Sequence, residues 1–510
     1  MLEMTSLLSL NILIFSPIAA AIITASPMFG TNPIYIRRFS KSFLTIHFLY
    51  SLLFVAFYNF SSESFYDEIT VSGNSWLSKL GINAAFGADG FTILLCMFTS
   101  LIFLLTLIIS KTMIRTKHKM YYTLMHLLLC TTLGIFCAKD MFVFLLFWQA
   151  ELIPMYLLIS QWGSNNSKNS AMKYVLYNFI GSIFISLSMV ALYYYGYHSN
   201  GTLSSSIDFL RIYQADNIFP LLLQKLIFWC LFIGFALKLP IIPIHTYYVS
   251  LIGESVTPVS IVTSSILINT AAYGIIRFNL DLFPELFSQY APIIMIIGVI
   301  NIIWASLSAF KQKDIAKFSS YINITYMGLF LLGLSSLNKS GFDGAIFIIF
   351  SNIFIASALS LFIGLLYQTF KTKSLYEIKA LGKFAPNFML LGYLIIFAVI
   401  GVPLTIGFAG DFLVFAGSFS ADFQNALLPK ICSFTALLSV IFLASCSLNL
   451  FNQVFSGFDN SDKKYHDISG HRLTVLFILC FCIILFGIFP NSIMNLYNNV
   501  TEMLVEILRV

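Results

Sequence analysis

Residues 235–245 read Phe-Ala-Leu-Lys-Leu-Pro-Ile-Ile-Pro-Ile-His and carry the strongest structural signal in the chain. Lys238 stands inside an apolar run, directly before Pro240 and Pro243. Proline removes a backbone hydrogen bond and its ring collides with the preceding turn, so a helix breaks there. Unpaired backbone inside a membrane is tolerated only against protein or water. The stretch therefore predicts a membrane helix that is interrupted beside a buried charge.

A second stretch also combines an interrupted apolar run with an ionisable residue. Residues 400–411 read Ile-Gly-Val-Pro-Leu-Thr-Ile-Gly-Phe-Ala-Gly-Asp, so Gly and Pro interrupt an apolar run that leads to Asp411. Broken helices at corresponding places in two halves of a chain are typical of transporters built from inverted repeats. The alternative is that the prolines only kink two ordinary helices. The charge beside each break favours the first interpretation.

The composition indicates that these helices lie in a membrane. Of 510 residues, 58% are hydrophobic and 10% are charged, whereas soluble domains carry about 25% charged residues. This excludes a soluble enzyme, a disordered regulator and a nucleic-acid binder. Apolar runs of about 20 residues predict an all-α polytopic membrane protein with about fourteen transmembrane helices in the lipid bilayer. The predicted units are helices 1–3 in residues 1–120, helices 4–8 in 121–276, helices 9–13 in 285–455, and helix 14 with a tail in 456–510.

The distribution of basic residues supports this order of spans. Nineteen of the 28 Lys and Arg residues fall in alternate connectors, which the positive-inside rule assigns to the cytoplasmic side. No connector is long enough for a separate cofactor-binding domain, and the sequence has no Walker loop, dinucleotide-binding glycine turn or zinc-spaced His pair. We therefore expect this chain to bind no metal and no cofactor, and we assign any redox chemistry to a partner.

Buried ionisable residues are the candidate functional groups. A charge at the bilayer centre costs about 2.5–3.5 kcal/mol even on the milder scales, so such residues are usually functional. The candidates are Glu151 in the fifth span, Lys238 in the seventh and Asp411 in the twelfth. His245 follows the second proline and is either a capping or interface histidine or a proton relay. Three further acids are predicted to begin helices or turns rather than to carry protons: Asp89, Asp140 and Asp314.

Several longer motifs occur in a fixed order along the chain. They are Phe-Trp-Gln-Ala-Glu-Leu-Ile-Pro-Met-Tyr at 147–156, Ala-Leu-Lys-Leu-Pro at 236–240, Ala-Ala-Tyr-Gly-Ile-Ile-Arg-Phe at 271–278, Lys-Asp-Ile-Ala-Lys at 313–317, and Gly-Phe-Ala-Gly-Asp-Phe at 407–412. In these motifs and in its number of spans, the chain resembles the antiporter-like membrane subunits of NADH:quinone oxidoreductase (respiratory complex I), of the chain M or subunit 4 type.

The resemblance implies a fold and a role. The fold would contain an inverted pair of five-helix units, each with one broken helix, and a hydrated row of charges along the membrane midplane. The role would be proton translocation, driven by NADH oxidation and quinone reduction in other subunits of the complex. NADH, FMN, iron–sulfur clusters and quinone would then belong to those membrane and peripheral partners. The frequent use of Ile, Phe, Asn, Lys and Ser is typical of an AT-rich genome. It favours a bacterial inner membrane, with a mitochondrial inner membrane as the alternative.

The chain departs from the family pattern at several charge positions. In the family an acid on span 5 pairs with the span-7 lysine, but Gln149 stands at that acid's position. Glu151 comes two residues later, about 200° around the helix, so we do not expect it to replace the missing acid automatically. The family's span-8 lysine corresponds to Asn269, and the family's histidines in spans 10 and 11 correspond to Tyr326 and Asn352. Lys238 and an acid at position 411 are retained.

These departures leave more than one function open. The first hypothesis is a proton-translocating subunit of a translocase that has no redox centre of its own. The second is a diverged scaffold that keeps the fold and holds neighbouring subunits without pumping. The third is a subunit of a multi-chain cation/proton antiporter, and an independent secondary transporter is the last.

Overall fold

The structure is almost entirely helical. The computed structural model describes residues 8–27, 30, 32–58, 65–69, 81–82, 84–200, 205–207, 220–374, 381–383, 385–456 and 467–509. In chain order the helices are α1 (Leu10–Ala25), α2 (Pro33–Ala56), α3 (Gly90–Met113), α4 (His118–Cys137), α5 (Met141–Ala150), α6 (Leu152–Trp162), α7 (Ser167–Asn200), α8 (Leu221–Lys238), α9 (Thr246–Glu254), α10 (Thr257–Leu280), α11 (Pro284–Phe310), α12 (Ile315–Leu334), α13 (Lys339–Phe370), α14 (Pro386–Ile400), α15 (Ile406–Phe419), α16 (Leu427–Ser456), α17 (His471–Ile488) and α18 (Asn491–Arg509). Two short strands, β1 (Phe65–Ile69) and β2 (Ala84–Ala88), pair antiparallel before α3.

The prediction of an all-α polytopic membrane protein is confirmed. In the described part of the chain, eleven helical segments are long and apolar enough to cross a membrane, with α5 and α6 taken as one segment. Three shorter apolar helices, α1, α14 and α15, accompany them. The order of the helices is consistent with fourteen spans, and that exact number stays a prediction.

Both predicted helix breaks are present. α8 ends at Lys238 and α9 begins at Thr246, while α14 ends at Ile400 and α15 begins at Ile406. The second break begins at Gly401, whose φ of +74° lies in the left-handed region, where glycine has no Cβ to cause strain. Proline and glycine therefore end these helices inside the bundle, next to Lys238 in one case and near Asp411 in the other.

The centre of the bundle is formed by α10 and α13. The apolar windows of both helices are buried along their whole length. α10 contains two π-helical segments, Thr263–Leu267 and Ile275–Leu280, and such segments often occur at functional sites because they disturb the regular hydrogen-bond ladder. Asn269 lies two residues after the end of the first of them. A π-helical segment of α10 thus lies close to Asn269, the residue that corresponds to the family's span-8 lysine.

The predicted helix-start acids are confirmed, and one further helix was not predicted. The Asp89 carboxylate accepts the Thr92 N–H at the start of α3, and Asp140 and Asp314 cap α5 and α12 in the same way. The tail after the last span is a helix, α18, and the Tyr497 hydroxyl on it donates to the Asp343 carbonyl of α13 over 3.1 Å.

Candidate functional site

A buried ion pair lies at the break between α8 and α9. Lys238 Nζ is 2.8 Å from Glu151 Oε2, and the two side chains are 3% and 0% exposed. The same ammonium lies over the Trp148 ring, 3.9 Å from its centroid. Charges taken out of water this completely need partners, and each of these two has them. The structure therefore brings together two of the predicted carriers, Glu151 and Lys238.

The sequence did not make Glu151 an automatic replacement for the missing acid, and in the structure it is Glu151 that pairs with Lys238. Trp148 and Glu151 are three residues apart and so lie on one face of the helical segment, which is the face that meets Lys238. Gln149 lies between Leu146 and Ile153, which are 53% and 68% exposed, so it belongs to the outer face of that segment. An acid at position 149 would face away from Lys238. The sequence did contain a signal for this pairing, because residues three positions apart, such as Trp148 and Glu151, share a helix face.

Two tyrosines complete the surroundings of the pair, and sequence reasoning missed both of them. The Tyr174 hydroxyl on α7 donates to Glu151 Oε1 over 3.0 Å. The Tyr247 hydroxyl on α9 donates to the Lys238 carbonyl over 2.8 Å, which satisfies an acceptor that the helix break leaves open. The carboxylate thus accepts a bond from Lys238 on one oxygen and from Tyr174 on the other.

One asparagine fixes the unwound backbone of the first break. The Ile242 N–H donates to Asn301 Oδ1, and Asn301 Nδ2 donates to the Ile324 carbonyl, each over 3.0 Å. Asn301 belongs to α11 and Ile324 to α12. The amide group therefore ties the break in the first predicted repeat to two helices of the second.

A buried acid that has no cation partner in the described structure lies just after the second break, on α15. Asp411 on α15 is 8% exposed, and its Oδ1 has no hydrogen-bond partner among the described residues. A Cβ at Gly401 would lie 2.7 Å from Asp411 Oδ2, so glycine leaves room for the carboxylate. The Tyr326 hydroxyl donates to the Ala398 carbonyl over 3.4 Å at the end of α14. Within the described part of the chain, no lysine or arginine forms an ion pair with Asp411.

Asn269 and Asn352 lie where α10 and α13 face each other. Asn269 Nδ2 donates to the carbonyls of Ser265 and Ile349, over 2.6 and 3.3 Å. Asn352 Nδ2 donates to the Ser264 carbonyl over 3.5 Å. The Oδ1 atoms of both asparagines are buried and have no partner among the described residues. An amide oxygen in this position accepts a hydrogen bond from water but does not store a proton.

A cavity of about 660 Å³ opens at the end of the bundle where the basic connectors meet, and we call it the basic cavity. Its inner wall includes Ser260 and Ser360, and Ser360 Oγ is 3.0 Å from Ser264 Oγ. The Ser264 carbonyl accepts from Asn352, and the carbonyl of the adjacent Ser265 accepts from Asn269. The basic cavity is thus connected to the central asparagines by a series of hydroxyl, carbonyl and amide groups.

His245 lies apart from the ion pair, at the position that precedes α9. It is 7% exposed, and its Nδ1 has no hydrogen-bond partner in the described residues. Its ring centroid is 6.0 Å from that of Tyr321. The structure therefore leaves open both roles predicted for His245. The described residues contain no group of three His, Cys, Asp or Glu side chains that could hold a metal ion.

The chain is similar to several known proteins. Residues 138–439 match the family described as "NADH:quinone oxidoreductase/Mrp antiporter, TM". The chain is 30% identical to NADH-quinone oxidoreductase subunit M of Rickettsia conorii over 478 residues, which covers 93% of each chain. It is also 30% identical to NAD(P)H-quinone oxidoreductase chain 4 of a Synechococcus strain over 439 residues, covering 85% of this chain and 80% of that one.

Solved structures share the fold. A chain of respiratory complex I from Thermus thermophilus superposes with a TM-score of 0.83 at 21% identity, covering 98% of this chain and 100% of that chain. A chain of the Mrp complex from Dietzia superposes with a TM-score of 0.84 at 16% identity, covering 97% of each. At these identities the likeness concerns the fold alone.

Proposed function

This chain belongs to the NADH:quinone oxidoreductase/Mrp antiporter family of membrane subunits, and from that premise we propose that it translocates protons in an NADH:quinone oxidoreductase complex. The relatives with 30% identity over most of their length carry names of such subunits. Their names favour this assignment over a multi-chain cation/proton antiporter. The proposed division of the chain is the one predicted above: residues 1–120, 121–276, 285–455 and 456–510.

The observation that carries the proposal is the Glu151–Lys238 pair beside a broken helix. Separating a buried ion pair leaves each charge without compensation, at a cost of about 3–5 kcal/mol. A conformational change driven from elsewhere in a complex is therefore able to shift a proton by opening or closing this one contact. Trp148 and Tyr174 hold the ammonium and the carboxylate in the closed arrangement.

A second part of the proposed route runs along the central helices α10 and α13. Protons enter by the basic cavity, pass Ser360 and Ser264, and reach water molecules bound to the free oxygens of Asn352 and Asn269. Asp411, beside the second break, is the proposed acceptor on the far side. Tyr326 and Gln149 have no step of their own in this route, because Tyr326 bonds a backbone carbonyl and Gln149 faces outward. His245 is kept as a candidate proton relay at the first break.

The remaining parts of the proposal concern the complex. NADH, FMN, iron–sulfur clusters and quinone are assigned to partner subunits, because no connector in the sequence is long enough for a separate cofactor-binding domain. The proposed location is a bacterial inner membrane, in keeping with the Rickettsia relatives. The chain alone is therefore expected to show no NADH oxidation.

Replacement of Lys238 tests the proposal in the assembled complex. Lys238→Ala is expected to remove the proton yield that this subunit contributes, measured as proton uptake per NADH oxidised by inverted membrane vesicles. Lys225→Ala is the matched control, since Lys225 lies on the same helix near its start. An unchanged yield in correctly assembled Lys238→Ala complex would show that Lys238 is not a carrier.

A non-pumping scaffold is the second candidate, and one observation favours it. Both Asn269 amide protons go to backbone carbonyls, which is also what a purely structural side chain does. A scaffold predicts that Lys238→Ala leaves the proton yield unaltered while removal of the whole chain prevents assembly. The same vesicle measurement thus separates the two functions.

A further inference from the structure

The basic cavity gathers positive side chains from three separate parts of the chain. Arg115 comes from the connector between α3 and α4, Lys371 and Lys373 come from the residues after α13, and Arg472 comes from the start of α17. Glu254 is the one acid among the described residues of the lining. Four cations and one carboxylate therefore surround a single space of about 660 Å³.

The single carboxylate is already engaged, and the cations are not paired with it. The Ser164 hydroxyl donates to the Glu254 carboxylate, and the Ser164 N–H donates to the Glu254 carbonyl. Lys373 Nζ donates to the Gly253 carbonyl. In the part of the chain that the structure describes, none of the four cations forms an ion pair with a carboxylate. Like charges around a partly enclosed space repel one another, and an anion between them would remove that repulsion.

The rest of the lining suits an oxyanion. Buried hydroxyl groups line the inner part of the cavity, and a hydroxyl rotates toward whichever partner is present. They belong to Ser255, Ser260, Ser319 and Ser360. Arginine, lysine and hydroxyl groups are the donors that recognise phosphate oxygens, and basic pockets between transmembrane helices bind the headgroups of anionic lipids.

We propose that the basic cavity is a binding site for a phosphate-type oxyanion, supplied either as free phosphate or as the phosphodiester headgroup of an anionic lipid. An anion bound in the basic cavity would affect the proposed proton route. It would lie over Ser360 and Ser264, at the entrance of the polar series that leads to Asn269. Its negative charge would offset a positive field that otherwise repels protons from this entrance. Binding itself does not depend on the proposed proton translocation.

Direct binding measurements test this site in the complete chain. In nanodiscs of phosphatidylcholine alone, binding of inorganic phosphate is measured by phosphorus NMR line broadening. In nanodiscs that also contain phosphatidylglycerol, retained phosphatidylglycerol is counted by native mass spectrometry after delipidation. The test variant is Arg115→Gln with Lys371→Gln, which removes two exposed charges from the lining. The control is Lys311→Gln with Lys313→Gln, which removes two exposed charges that do not line the cavity.

The two sources give different results. Phosphate binding in phosphatidylcholine discs that becomes at least about tenfold weaker in the test variant, and stays unchanged in the control, supports a free phosphate site. Retention of phosphatidylglycerol that is lost only in the test variant supports a lipid headgroup site. The proposal is overturned when the wild-type chain binds neither probe, or when the test and control variants lose binding equally, since general surface charge then explains the result.

Discussion

Glu151 and Gln149 lie two residues apart on one helical segment and face different sides of it. Glu151→Gln removes the only carboxylate bonded to Lys238 in the described structure, which leaves a buried ammonium uncompensated at a cost of about 3–5 kcal/mol. We expect a loss of proton yield per NADH in inverted vesicles together with lower thermal stability of the subunit. Gln149→Leu is expected to change neither, because residue 149 lies on the outer face. The roles would be reversed, and the pairing refuted, by a proton defect in Gln149→Leu alone.

Tyr174 offers a second test of the same carboxylate. Tyr174→Phe keeps the ring but removes the hydroxyl donor to Glu151 Oε1, and hydrogen bonds to charged groups contribute about 1.5–3 kcal/mol. We expect the free energy of unfolding in detergent to fall by about that amount. Tyr177→Phe is the matched control: its half-buried ring stacks near Tyr247, with centroids 5.1 Å apart. Equal losses in the two variants would mean that the removal of any tyrosine hydroxyl from this helix, and not of the bond to Glu151, was measured.

At the scale of single residues, the sequence predicted the carriers better than their partners. Lys238 and Asp411 are recognisable because ionisable groups in apolar runs are rare. The sequence left the partner of Lys238 open, because a count of 100° per residue gives the angle between Gln149 and Glu151 but does not say which of them faces α8. Asn301 was missed altogether, since its bond to Ile242 joins residues 59 positions apart and leaves no local pattern.

At the scale of elements, the first helix break depends on Asn301. Asn301→Leu leaves the Ile242 N–H without its partner, and a buried donor left unpaired costs about 1–3 kcal/mol. We expect hydrogen exchange in residues 239–245 to become faster, as measured by mass spectrometry of the complex. Gln289→Leu, an exposed change on the same helix, should leave exchange there unaltered. Unchanged protection in Asn301→Leu would show that the break is held by packing alone.

A second contact between elements, the Asp89–Arg277 ion pair, joins α3 to α10. Burial by itself raises the pKa of Asp89, but the Arg277 guanidinium and the Thr92 N–H outweigh it and lower the pKa to about 2. Because the pKa is lower in the folded state than in the unfolded state, the stabilisation is complete above about pH 4 and is lost as the pH falls toward 2.

This pH dependence is measurable in the purified subunit. From the lowered pKa we expect about 2–3 kcal/mol of stability to disappear between about pH 4 and pH 2. Asp89→Asn should have lower stability at neutral pH and should lack this part of the pH dependence. A wild-type chain and an Asp89→Asn chain with parallel stability curves over this range would contradict the assigned pKa.

At the scale of the whole molecule, the two halves are chemically unequal. The break after α8 carries a complete ion pair, whereas the break after α14 carries Asp411 with no cation bonded to it among the described residues. The sequence accounts for a helix break in each half, because Pro240 and Pro243 interrupt the first helix and Gly401 and Pro403 interrupt the second. The chemical difference between the halves comes from single residues such as Asn269, and the spacing of apolar residues along a helix does not predict it. On the proposed route, proton transfer between the halves therefore depends on water at the asparagines and not on a fixed chain of charges.

Asn269→Leu tests that dependence, because leucine has the same branched shape and number of side-chain heavy atoms but cannot bind water. We expect the assembled complex to lose the proton yield contributed by this chain, since the unpaired Oδ1 at the centre of α10 is removed. Asn269→Asp keeps an acceptor oxygen at the same place and should retain more of the yield than Asn269→Leu does. Proton uptake per NADH in inverted vesicles gives both values. If Asn269→Leu pumped as well as the unmodified complex, no proton would pass Asn269, and the scaffold function would be the better account of the chain.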